Sequence, residues 1–116
     1  MKKKAEIRSV DCDGDLLEDW KPGREWDFAI QIVIEIGLEG DEGGWLFYLE
    51  ILPRQFFEAC PLPRFVNRSL VLDHYDPRLI KDFINRVVSG HEFENWDKCV
   101  EHLSYYFSHE YENYNT

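Results

Sequence analysis

In the stretch LVLDHYDPRLI, His74 follows Asp73, and an imidazole beside a carboxylate is a common way to assemble a general base. The apolar alternation of SLVLDHY reads as a strand, however, and neighbouring side chains of a strand leave on opposite faces, so the two cannot hydrogen-bond each other. His102 and His109 are seven residues apart, on one side of a helix but two turns distant, too far to ligate one metal. Asp11, Asp13 and Asp15 in DCDGD have the spacing of the first half of a calcium loop. The glycine comes too early, and the twelfth position is Pro22 instead of a bidentate glutamate. Cys12, Cys60 and Cys99 are odd in number and show no CxxC spacing, which predicts reduced thiols and neither a disulfide framework nor a zinc site. GLEGDEGG is glycine-rich, but it lacks the lysine of a phosphate-binding loop and carries three carboxylates that repel phosphate. These residues predict no catalytic group, no metal and no cofactor. A small enzyme using His74 or His109 with a nearby carboxylate is the alternative.

Charge is more informative. Residues 1–10 carry +3, residues 11–50 carry twelve acids against Lys21 and Arg24 for −10, and residues 51–116 carry −3. A surplus of this size concentrated in one stretch repels nucleic acid and suits a basic protein partner. Three lysines at the N-terminus are too small a footprint for nucleic-acid binding against it. A solvated surface that only keeps the protein soluble, or a general acidic adaptor mimicking nucleic acid, accounts for the same charges.

The elements that position these groups follow from periodicity. In WDFAIQIVIEIG the apolar residues Trp26, Phe28, Ile30, Ile32, Ile34 and Ile36 hold every even position, which predicts a strand with one buried face. WLFYLEIL repeats the alternation through Trp45, Phe47, Leu49 and Ile51, so the two form an antiparallel hairpin with GLEGDEGG at its tip. Leu46 and Tyr48 on the other face predict that this face is partly covered too. AEIRSV and SLVLDHY add a strand before and after, with a short helix at PRQFFEAC. DPRLIKDFINRVVSG predicts a helix with Asp76 as N-cap, Pro77 as first residue and Gly90 near the end. A last helix begins near Asn95, its stripe of Trp96, Val100, Leu103, Phe107, Tyr111 and Tyr114 turned to the core and Glu101, Tyr105 and Glu112 to solvent.

The composition, 44% hydrophobic and 16% aromatic, allows a full core in one domain spanning 1–116. The expected fold is α+β, an antiparallel sheet of about four strands covered on one face by two C-terminal helices. No run of eighteen apolar residues occurs, and MKKKAEIRSV has no apolar signal core behind its lysines, so a cytoplasmic protein with no membrane partner is expected.

In the order of its features the chain resembles the immunity protein 8 family over most of its length. An early acidic segment, an isoleucine-rich strand, the tip GLEGDEGG, the strand closing in EILPRQFF, the junction LVLDHYDPRLI, the late tryptophan of ENWDKCVEHL and the ending SHEYENY carry the resemblance. His109 and Asn113 depart from it, standing where tryptophan and aspartate are expected. The resemblance implies a cytoplasmic bacterial protein that neutralises the C-terminal toxin domain of a polymorphic or contact-dependent inhibition system by stoichiometric binding, with no substrate turned over. Many such toxins are nucleases with cationic clefts, which an acidic surface complements. The expected contacts are Asp13, Asp15, Glu18, Asp19, Glu39, Asp41 and Glu42, with Glu101, Tyr105 and Glu112 as a second patch and Trp20, Trp45 and Tyr105 as anchors.

Overall fold

The computed structural model describes residues 2–24, 28–59 and 68–111. In chain order they form β1 (Lys3–Cys12), β2 (Asp15–Leu16), β3 (Ile30–Leu38), β4 (Trp45–Pro53), α1 (Gln55–Ala59), β5 (Ser69–Leu72), α2 (Pro77–Val88), β6 (Glu92–Phe93), α3 (Trp96–Leu103) and β7 (Ser108–His109). The fold is α+β. The sheet runs β2-β1-β3-β4-β5, with β6 paired to β1 and β7 to β4. It therefore has more strands than the four expected, the additions β2, β6 and β7 being two-residue pieces on the flanks of the long strands.

The even positions of β3 and the odd positions of β4 meet across the hairpin, Ile32 opposite Leu49 and Ile34 opposite Phe47, and all four side chains are fully buried. β1 continues the same face, with Cys12 opposite Ile32 and Val10 opposite Ile34. Onto it close Ile80, Ile84, Val87 and Val88 of α2 and Cys99 and Leu103 of α3. Fully burying one such aliphatic side chain contributes roughly 1.5–3 kcal/mol, so this layer of helices on sheet holds the fold. On the opposite face the ladder places Asp11, Val33 and Tyr48 in one row and Ser9, Glu35 and Leu46 in the next. Leu46 and Tyr48 are half-buried there.

Local chemistry fixes the boundaries. Asp76 Oδ1 accepts from the Arg78 amide at 3.0 Å with Pro77 in the first helical turn, and Asn95 Oδ1 accepts from the Lys98 amide at 2.9 Å, so both longer helices are capped by side chains suited to it. Asp13 and Gly14 both take positive φ, 52° and 87°, which makes the two-residue turn that joins β1 to β2.

Two sequence expectations change. The last helix does not run on towards Tyr114: α3 ends at Leu103, the Ser104 hydroxyl bonds back to the Val100 carbonyl at 2.7 Å, and the chain leaves to pair Ser108 and His109 with Tyr48 and Phe47. A helical stripe and a strand that must cross the same core edge share the residue Phe107, which is fully buried either way. Tyr111 is 41% exposed and so is no core residue, and Tyr114 lies outside the described residues, as do Trp26 and Cys60. The second change is that β5 pairs parallel to β4, Glu50 opposite Ser69 and Pro53 opposite Leu72, where antiparallel pairing was expected; the fifteen residues separating the two strands in sequence are more than a hairpin turn needs and enough for the crossover a parallel pair requires.

Candidate partner-binding surface

The expected contact residues fall into three places. β1 and β3 run antiparallel, with Ala5 opposite Leu38 at one end and Cys12 opposite Ile32 at the other. The six residue steps of β3 from Ile32 to Leu38, at about 3.4 Å each, separate the ends by about 20 Å. Glu39, Asp41, Glu42 and Trp45 gather at the first end, on and beside the β3–β4 tip, whereas Asp13, Asp15, Glu18, Asp19 and Trp20 gather at the second, around β2. Glu101 and Tyr105 lie apart from both, on and just beyond α3, with Glu101 3.6 Å from Lys98 and Tyr105 79% exposed. Glu112 lies outside the described residues.

Arg8, which the sequence marked only as a charge, organises the tip. A bulge between Ile7 and Ser9 frees Arg8 from the ladder, and its guanidinium donates to the carbonyls of Glu42 at 3.0 Å, Gly43 at 2.6 Å, Leu38 at 3.1 Å and Asp41. Its Nε lies 3.4 Å from Glu6. Only a planar fork with five N–H donors can gather so many carbonyls of one loop. The glycines of GLEGDEGG have a reason here: a Cβ on Gly37 would stand 2.5 Å from the Gly43 carbonyl and 2.6 Å from Arg8 Cζ, and one on Gly44 would stand 2.9 Å from the Ile36 carbonyl. Lys3 adds an ion pair to Asp41 at 2.8 Å, and the Glu39 amide donates to the Lys4 carbonyl at 2.8 Å. The N-terminal lysines thus sit beside the tip and offset part of its charge.

Both ends pair their carboxylates with an aromatic cleft. At the tip a cleft of about 270 Å³ is lined by Leu38, Asp41, Gly43, Gly44, Trp45 and Trp96. Trp45 is half-buried and held from three sides, by Trp96 at 5.5 Å between ring centroids, His109 at 5.3 Å and Tyr111 at 4.6 Å. Burial pushes the His109 imidazole below its usual range, with the Arg68 guanidinium acting the same way and Glu110 opposing. At the other end a cleft of about 360 Å³ is lined by Glu18, Trp20, Lys21, Pro22, Tyr75 and Pro77, with Trp20 edge-on to Tyr75 at 5.2 Å. Asp13, Asp15, Glu18 and Asp19 are exposed and make no ion pair with a described residue.

Among the residues weighed for catalysis, Asp73, His102 and His109 have other partners. Asp73 lies 3.5 Å from Arg54 and His74 is exposed. His102 Nε2 contacts the Val87 carbonyl at 2.9 Å, and His109 Nδ1 accepts from the Tyr111 amide at 3.2 Å. Cys12 and Cys99 are buried, and burial pushes their thiols up to about 11 and about 12, with Asp13 and Asp15 adding to the shift at Cys12. Thiols this protonated are poor nucleophiles at neutral pH. No group of three potential metal ligands occurs among the described residues, and no described helix is long and apolar enough to cross a membrane.

Sequence reasoning missed Arg8 and Trp96 as parts of the tip. An arginine at a register bulge carries no signature in the sequence, and the helical spacing of Trp96 points to the core. Compared with known proteins, the sequence profile of the family described as Immunity protein 8 matches residues 5–114. No curated protein and no solved structure matches the chain.

Proposed function

The chain belongs to the immunity protein 8 family, proteins that confer immunity to a toxin, and from that premise we propose that it neutralises its toxin by one-to-one binding in the cytoplasm, without catalysis. The observation that carries this reading is the family match over residues 5–114, nearly the whole chain. The acidic ends of the sheet support the finer statement that the toxin domain is basic and of nuclease type. A nuclease must hold phosphates in a cationic cleft, and surplus carboxylates complement that cleft and speed encounter. Carboxylates alone give rate and selectivity; affinity needs desolvated anchors, and each end offers a tryptophan beside its acids.

The test is co-expression with a candidate toxin C-terminal domain, sought first among large secreted proteins in the genes neighbouring this one, followed by co-purification and a growth assay. Rescue of growth together with a stable one-to-one complex is expected. Absence of both overturns the reading. Equal binding to unrelated basic proteins such as histones would point instead to a general acidic adaptor.

A further inference from the structure

We propose that the cleft between Trp45 and Trp96 at the hairpin tip is the receptor for one cationic side chain, an arginine or lysine, of the bound protein. The proposal rests on the toxin-binding reading only in saying whose side chain enters. Two indoles set edge-to-face at 5.5 Å wall the cleft, and indole is the best aromatic partner for a cation. Asp41 is the one charged residue among the described residues of its lining, while Gly43 and Gly44 bring backbone to the rim with no side chain to obstruct it. The cleft at the other end of the sheet holds Lys21 beside Glu18, and next to it Arg78 and Lys81 flank Leu17 and Pro77, so its charge is mixed.

Among the described residues the cations Arg8, Lys3 and Arg68 stand near the tip, and none closes the site; Arg68 acts on His109 and is not among the residues lining the cleft. Arg8 is saturated by the loop carbonyls and lies beneath the loop. Lys3 pairs with Asp41 where both side chains are nearly half exposed, an arrangement worth little in water and easily exchanged for another cation. Because Arg8 fixes the loop in advance, an incoming side chain meets a rim already in place and loses little to ordering it. The chain's net charge of −10 selects the sign of the occupant before contact.

The experiment follows the indole N–H resonances of the full ¹⁵N-labelled chain while N-acetyl-argininamide is added. Trp45 and Trp96 are expected to shift saturably and Trp20, in the other cleft, to stay in place. N-acetyl-leucinamide and N-acetyl-glutamate amide are expected to leave all three unmoved. D41N should weaken the arginine response at least threefold, and D82N on the exposed side of α2 should not change it. No shift, an equal shift at Trp20, or the same response to the leucine derivative overturns the proposal. With the toxin domain that co-purifies, the same two resonances should move and D41K should weaken association tenfold or more. A complex that leaves them unmoved overturns the cleft assignment and spares the proposed function. An arginine response without toxin rescue overturns the proposed function and spares the cleft.

Discussion

At the β3–β4 tip, Glu39, Asp41 and Glu42 ride on a loop whose carbonyls are drawn together by Arg8, and one of the three is paired with Lys3. At the β1–β2 turn, Asp13 and Asp15 ride on a ladder two residue pairs long, and Glu18 and Asp19 follow it unpaired among the described residues. The tip gives up net charge for order, and the turn keeps its charge on a lightly held chain. Charge that acts at a distance does not need fixed geometry, whereas a contact that sets affinity does. Under the function proposed above, the two ends would serve different steps of one association, the turn steering the partner and the tip gripping it.

The sharpest way to break this comparison is to remove the order at the tip. R8A leaves four carbonyls without their fork, and G37A forces a methyl into the Gly43 carbonyl and Arg8; each is expected to cost about 2–4 kcal/mol in urea unfolding. R8K should rescue little, because an ammonium cannot span the carbonyls. At the other end G14A meets no atom and costs about 1 kcal/mol through its positive φ alone. Equal losses at the two ends would erase the difference drawn here.

Next in size are charge reversals. Changing Glu39, Asp41 and Glu42 to lysine should lower toxin affinity by at least about tenfold, roughly 1.4 kcal/mol, mainly through faster dissociation. Changing Asp13, Asp15 and Glu18 should act by slowing association, an effect that fades as salt is raised towards a Debye length of about 8 Å. Stopped-flow association and dissociation rates at two ionic strengths separate the two.

Smaller effects come from the titrating group nearest each end. The Cys12 thiol moves from 9.0 to about 11 on folding, so between those values the unfolded chain releases its proton first and stability falls as pH rises. C12A should flatten that part of an alkaline stability profile, leaving the loss that Cys99 and Tyr75, both raised by burial, continue to about pH 12. His109 is shifted the other way, its folded imidazole held below the usual range, so its contribution is present above pH 6.5 and is lost as pH falls through the folded value. H109F should reduce the acid loss, read as the change in urea midpoint with pH. The smallest expected effect is K3A, below about 1 kcal/mol in stability, since the pair it breaks is largely solvated.

Much of the scaffold was legible because local signals agreed with the final packing. The isoleucines of β3 repeat with period two, and Asp76 and Pro77 mark a helix start wherever they stand before an apolar stripe. The end of α3 was not legible, since Phe107 satisfies a helical stripe and the core equally, and only the open edge of β4 decides that the chain leaves to pair there. The candidate surface was legible as composition and illegible as geometry. Asp13 and Glu39 are both simply acidic loop residues in the sequence, and their separation by the length of a strand follows from the antiparallel ladder between β1 and β3. The role of Arg8 depends on a one-residue bulge, and no residue type announces a bulge in advance.

The three two-residue strands have a bearing on what happens between chains. A bare strand edge templates pairing with a neighbouring molecule. β2 and β6 cap the two ends of the outer edge of β1, and Arg8 bulges between them, while β5 and β7 divide the outer edge of β4. Neither long edge offers an uninterrupted row of amides. These short caps leave the free chain little exposed ladder to pair with a second copy, which makes the sheet a poor seed for its own aggregation.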